Sequence, residues 1–181
     1  MNRLLAMIGG AAALNLVLVA GAAAPAIDAS KSTLSVTFVQ EKVPVTEPFT
    51  RFSGHIDYDP AHPETSKAAI EVTTASLDMG SDEYSAEVRK KDWLDSGAYP
   101  TSTFVASAIK PATAGHFDAT GVLTLKGKTQ TLTVPVTVTH SGATTSFDGT
   151  LQISRSAFGI GDPEWNDVLD DKVSIKFHLV E

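Results

Sequence analysis

Period-two alternation of apolar and polar positions runs through most of the chain. It is clearest from Phe117 to Thr139. Phe117, Ala119, Gly121, Leu123 and Leu125 share one side of an extended backbone; Leu132, Val134, Val136 and Val138 do the same after a short break, with Thr131, Thr133, Thr137 and Thr139 opposite. Successive side chains of a strand point to opposite faces, so this spacing predicts two strands with one apolar and one polar face each. Between them, Lys126-Gly127-Lys128 predicts a hairpin loop with a bulge, the glycine in the left-handed conformation. A helix would place apolar residues every third or fourth position, and the stretch lacks that spacing.

The same alternation recurs on both sides. Leu34, Val36 and Phe38 form one set; Phe52, Gly54, Ile56 and Tyr58 a second; Ala68, Ile70, Val72 and Thr74 a third. Residues 103–109 alternate less cleanly, and two further sets run from Phe147 to Ile153 and from Val173 to Leu179. Gln40 to Pro48, with two prolines, reads as a loop, as do Met79 to Ser85 and Phe158 to Asp167. Ala86 to Leu94 predicts a short helix packed by Val88, Trp93 and Leu94, and ended by Gly97 and Pro100. The expectation is an all-β chain of about eight antiparallel strands, with one helical insertion between the third and fourth.

A sandwich and a barrel differ in what fills the middle. The apolar sides mix bulky Phe38, Phe52, Phe117, Phe147 and Phe177 with small Gly54, Ala68, Ala119, Gly121 and Gly149. A sandwich prefers uniformly bulky sets in its thin core. A mixed set suits a barrel, which at about eight strands either just fills or holds one small ligand. Glycines inside strands further point to sharp bends or to close approach of a ligand.

A length of 181 residues is enough for one domain with a sizeable core. The net charge of −7, spread along the chain, argues against nucleic acid and anionic lipid surfaces as partners. Met1-Asn2-Arg3, an apolar run from Leu4 to about Ala24, and the small residues Ala22, Ala24 and Ala26 together have the form of a secretory signal peptide. Cleavage after Ala26 fits Ala24-Pro25-Ala26 and gives a division into residues 1–26 and 27–181; cleavage after Ala23 is the other site. Glycines, Asn15 and the many alanines make the run a weak membrane span, so no stable anchor is expected after cleavage. There is no cysteine, hence no disulfide and no lipid-modified cysteine.

Several segments, taken in order, resemble the YceI family of exported lipid-binding proteins. They are Phe49, Phe52 and Gly54; Trp93-Leu94-Asp95 with Tyr99-Pro100 and Phe104; Gly121 to Gly127 with Thr129, Leu132 and Val134; and Arg155 with Phe158-Gly159-Ile160. Ile27 and Gln40 stand where the family often has an aromatic residue and a histidine, and Tyr84 to Val88 replaces a basic-histidine pattern. The resemblance implies a lipocalin-like barrel in the periplasm, holding a polyisoprenoid or similar long-chain lipid in an elongated apolar cavity. No short motif carries the ligand site, so its residues come from the alternation.

Chemistry beyond binding finds little support. His55, His62, His116, His140 and His178 are scattered singly, without metal-ligand spacing. Asp57, Asp59 and Glu64, and the acidic residues from Asp162 to Asp171, sit in turn contexts where carboxylates ordinarily bond local backbone. No nucleophile elbow or phosphate loop is present. Binding without catalysis, cofactor or metal is therefore expected. The residues expected to line the interior are Phe38, Phe52, Ile56, Ile70, Phe104 and Phe117 from the first half, and Leu123, Val134, Val136, Phe147, Leu151 and Phe177 from the second. Trp93 is expected at one end of the bore. Arg89, in the basic run Arg89-Lys90-Lys91, is the candidate for an anionic lipid head. Association into a homodimer stays open. The alternative is a filled, ligand-free barrel serving as a periplasmic interaction or stress-response module.

Overall fold

A computed structural model describes residues 24–181. The leader expected at the N-terminus falls, up to residue 23, outside the described residues.

The alternation builds one antiparallel sheet of nine strands, curled into a barrel, in the order β2-β1-β9-β8-β7-β6-β5-β4-β3. The strands are β1 (Thr33–Gln40), β2 (Val43–Pro48), β3 (Phe52–Asp57), β4 (Lys67–Thr73), β5 (Thr101–Thr113), β6 (His116–Leu125), β7 (Lys128–Ser141), β8 (Thr144–Ser154) and β9 (Lys172–Val180). Each apolar set keeps its face turned inward, because a slip of one residue would turn every side chain over. The antiparallel barrel read from the sequence is the architecture found, with one strand more.

The additional strand is β2, which the prolines disguise as a loop. Glu41 and Lys42, both with positive φ, make a two-residue turn, and Val43 to Pro48 return along β1 with Val45 opposite Phe38 and Glu47 opposite Val36. Pro44 and Pro48 fit because β2 is an edge strand. At alternate positions its backbone groups point away from β1, where no ladder partner asks for a donor.

Two other details differ from expectation. The β6–β7 connection carries no bulge: the ladder closes at Leu125 opposite Lys128, and Lys126 and Gly127 both have positive φ, as a two-residue hairpin turn of the primed type requires. The helix α1 spans Asp82–Glu87, mostly in the segment read as irregular and sharing only Ala86 and Glu87 with the expected helix, with Ser81 capping the backbone N–H of Tyr84. Asp82 and Glu83 favour its first turn, while Val88 to Leu94 continue as hydrogen-bonded turns without becoming helix. The insertion lies between β4 and β5, which are the third and fourth of the strands anticipated.

The weak alternation in β5 also has a cause. Its pairing with β6 shifts between Ala106 and Ala108, so the inward parity passes from Phe104 and Ala106 to Ile109.

Candidate functional site

The curled sheet encloses an apolar cavity of about 700 Å³. Most of the residues expected to line it do so. Ile56 and Phe147 line it from one packed cluster, and Leu123, Val134 and Leu151, with Phe38 against them, from another. Ile70, Phe104, Phe117, Val136 and Phe177 also lie on the wall, Val136 and Phe177 packing against both clusters. Phe52 does not line the cavity; it packs, half-buried, against the cluster of Ile27, Ile56, Phe147 and Leu179. The chain turns there from the cavity wall to the seam between β3 and the N-terminal residues.

The glycines on the inward face explain why the barrel stays hollow. A Cβ on Gly149 would sit 2.4 Å from Cζ of Phe177, one on Gly121 would sit 2.6 Å from Cζ of Phe104, and one on Gly54 would sit 2.5 Å from Cδ1 of Ile70. Each glycine is thus a seat for a large side chain of the neighbouring strand. The close approach expected at these glycines is made by the protein's own side chains. Rings laid over glycines line a wall where upright rings would fill a core.

The two ends differ. At one, the Tyr58 ring lies 5.7 Å from Phe117 and from Phe147, edge-on to both, and stacks on His140 at 5.9 Å. Burial pushes the Tyr58 hydroxyl above its ordinary pKa, with Asp59 adding to the effect. The polar groups here belong to the plug.

The other end is the mouth, where the cavity wall meets solvent at Gln40, Tyr84, Glu87 and Trp165, beside half-buried Val45 and Glu47 of β2. Tyr84 is 64% exposed. Trp93 and Trp165 meet with ring centroids 5.4 Å apart, and both line the cavity. Trp93 therefore stands at one end, as expected, in a pair that sequence reasoning left half-described. Trp165 belongs to a short 3-10 segment, Pro163–Asp167, which carries no strand periodicity to announce it.

Beneath the mouth, Arg155 is only 2% exposed. Its Nε donates to the carbonyl of Asp170, Nη1 to that of Ile160, and Nη2 to that of Leu169 and to Oδ1 of Asn166, at 2.9 to 3.2 Å. A buried cation is tolerated when its donors are met. These bonds fix the loop from Ile160 to Asp170, which in turn holds the β1–β2 tip: Glu41 donates to the carbonyl of Val168, and Asp170 donates to that of Val39. Lys126 and Lys128 tie the β6–β7 turn to the same region through the carbonyls of Gly159 and Ala157.

Arg89 is exposed and lies outside the cavity wall. The lining also holds residues outside the expected set: inward positions of the alternating strands such as Leu34, Val36, Leu125 and Ile175, and, from segments not read as strand, Val45, Glu47, Tyr84 and Glu87. Val43, Val45 and Glu47 do alternate with Pro44, Thr46 and Pro48, and that was the signal. Of the histidines, His55 faces the Ala24 carbonyl at 3.1 Å, and His178 lies 2.7 Å from Asp148. Among the described residues, no group of three or more His, Asp or Glu side chains is placed to hold a metal ion.

A model of the YceI-like domain matches residues 26–180. The crystal structure of Burkholderia cenocepacia BcnA is 46% identical, with a TM-score of 0.83 over 86% of this chain and 99% of that one. A polyisoprenoid binding domain from Saccharophagus degradans, implicated in plant cell wall breakdown, shares the fold at 18% identity, with a TM-score of 0.69 over 86% of this chain and 95% of its own. A UPF0312 protein of Pseudomonas savastanoi pv. phaseolicola is 34% identical over 121 residues; the match takes in 64% of this chain and 63% of that protein's length.

Proposed function

The chain belongs to the YceI-like family, and from that premise we propose that it holds a long-chain polyisoprenoid or similar amphiphilic lipid in its barrel, for transport, storage or sequestration in the periplasm. The observation that carries the proposal is the hollow itself: about 700 Å³, walled almost wholly by aliphatic and aromatic side chains. That volume falls within the roughly 300 to 1,000 Å³ range of small-molecule sites. A filled interaction module would have no use for such a space. Each methylene moved from water into the bore contributes about 0.8 kcal/mol, so a chain of several isoprene units gains enough to outweigh the cost of ordering it. The name of the Saccharophagus degradans domain supports the same class of cargo.

Export would follow from the apolar leader, with cleavage after Ala23 in preference to Ala26. Ala24 to Ala26 lie along β3, where the Ile56 N–H donates to the Pro25 carbonyl at 3.1 Å and Ala26 bridges to His55; the earlier cut keeps them. Intact mass of the exported protein tests this, and a chain starting at Ile27 would refute it.

The central experiment is organic extraction of the purified protein followed by mass spectrometry, together with titration of the delipidated protein with farnesol. Trp93 and Trp165, the two tryptophans of the chain, both line the cavity and report its occupancy by fluorescence. A stoichiometric lipid, or saturable uptake of farnesol, is expected. Neither being seen would leave the ligand-free module standing.

A further inference from the structure

The cavity's charged groups bear on the head of the cargo, an inference that rests on the carrier role proposed above. Arg155 is the one basic side chain among the described residues that line the cavity. Its guanidinium is already committed to three carbonyls and the Asn166 amide oxygen. Gly161 also covers it, so closely that an added Cβ would lie 2.8 Å from Nη1. A phosphate could reach that cation only by breaking the bonds that fold the Ile160–Asp170 loop. Of the basic side chains near the mouth, Lys90 pairs with Glu87, Lys126 and Lys128 donate to Gly159 and Ala157, and Arg89 and Lys91 stand exposed and off the lining.

The wall's remaining charges are carboxylates. Glu87 lines the mouth with its charge offset by Lys90. Glu47 lines it from β2, half-buried opposite Val36, and makes no ion pair with another described residue. An anionic head would therefore enter an apolar bore whose described lining offers no uncommitted cation, beside two carboxylates, on a chain of net charge −7. Uncompensated charge and like-charge contact both oppose that entry. A hydroxyl can donate to Glu47 at little cost, and an ammonium can pair with it.

We propose that this cavity selects its cargo by head-group charge, with amine-headed chains favoured over hydroxyl-headed ones and phosphorylated chains turned away, and with Glu47 as the contact that reads the head.

The test is tryptophan-fluorescence titration at neutral pH with farnesylamine, farnesol and farnesyl phosphate, which share one tail. Farnesylamine should bind roughly fivefold more tightly than farnesol, the scale of a partly solvated ion pair. Farnesyl phosphate should bind about tenfold or more weakly than farnesol. Glu47→Gln should bring the amine-to-alcohol ratio close to unity, and Glu47→Lys should raise phosphate binding relative to the alcohol. Farnesyl phosphate binding as tightly as farnesol, or a ratio untouched by Glu47→Gln, would overturn the assignment while leaving the carrier role intact. Failure of all three ligands to bind would remove both. The ranking in the unmodified protein is decisive even where a variant folds poorly.

Discussion

The sheet has two end strands, β2 and β3, and the protein treats them oppositely. The outer edge of β3 is covered. Ile27 donates to the Gly54 carbonyl at 3.0 Å, Ile56 donates to Pro25, and Asp28 then reaches across to the Val180 carbonyl of β9 at 2.6 Å. Ile27 is buried in the process, against Ile56, Phe147 and Leu179. Among the described residues, the outer edge of β2 has no ladder along Val43 to Glu47; at its end the Asp78 N–H meets the Pro48 carbonyl. Along this second edge lie the mouth residues Val45 and Glu47. A closed barrel would remove both edges but leave no lateral way in. Here one edge is sealed with chain and the other is blunted with proline, so that a door remains without an invitation to aggregate.

If the two edges differ in this way, the same kind of truncation should cost unequal amounts. Ile27→Ala removes a side chain only 8% exposed and should lower stability by about 2 to 4 kcal/mol. Val43→Ala, at a position 59% exposed, should change it by less than about 0.5 kcal/mol. Urea unfolding of the two variants measures the difference. Equal losses would mean that the β2 edge is packed after all, and the contrast would fail.

A next, smaller effect concerns the wall between the edges. Gly149→Ala places a Cβ against the Phe177 ring and 2.8 Å from the Pro135 carbonyl. The backbone contact cannot be relieved by a rotamer change, so a loss of about 1 to 3 kcal/mol is expected. Any relief at Phe177 moves that ring into the bore, so farnesol affinity should fall with stability. Lost stability with unchanged affinity would separate the glycine seats from the cavity's shape.

Restoring donors to the open edge should act on association more than on folding. Pro44→Thr combined with Pro48→Thr returns two outward N–H groups to β2, each worth about 1 kcal/mol when it finds a carbonyl. Sedimentation should then show a concentration-dependent dimer formed edge to edge. A variant no more associated than its parent would mean that something other than proline protects this edge.

How much of this was legible follows the same division. Strands β6 and β7 were plain because Phe117 to Leu125 and Leu132 to Val138 alternate without interruption. Strand β5 was blurred because its bulge reverses parity between Ala106 and Ile109, a shift fixed by pairing with β6 and invisible in one strand alone. Strand β2 was hidden because proline counts against a strand unless its unused donor is known to face outward, and edge position is a tertiary fact. The cavity wall was foreseen from period two, with Phe52 lost to the seam. The mouth was not, since Tyr84, Glu87 and Trp165 come from segments with no strand period, and the loop that carries Trp165 is fixed by the Arg155 hydrogen bonds. Arg89 was singled out for charge alone, and charge does not say which way a side chain faces.

The smallest effect expected is on the sealed edge and depends on pH. Asp28 follows directly on Ile27, and its carboxylate accepts from the Ser30 backbone and hydroxyl at 3.0 and 2.6 Å, with Lys31 at 2.9 Å. The hydrogen bonds from Ser30 and Lys31 hold its pKa down at about 2, against 3.8 for a free side chain. A carboxyl with a lowered folded pKa binds its proton less readily in the folded than in the unfolded chain. Its contribution is therefore complete above pH 3.8 and is lost as the pH falls from there to about 2. Because Asp28 is solvent-exposed in its titration, the effect should be slight and weakened by salt. The protection factor of the Ile56 amide, which donates to Pro25, should fall over that interval more than those of amides in the β6–β7 ladder. Asp28→Asn should flatten that local dependence. If Ile56 and the β6–β7 amides open together in acid, with or without Asp28, the N-terminal segment does not move as a separate seal, and the two edges differ in chemistry without differing in mobility.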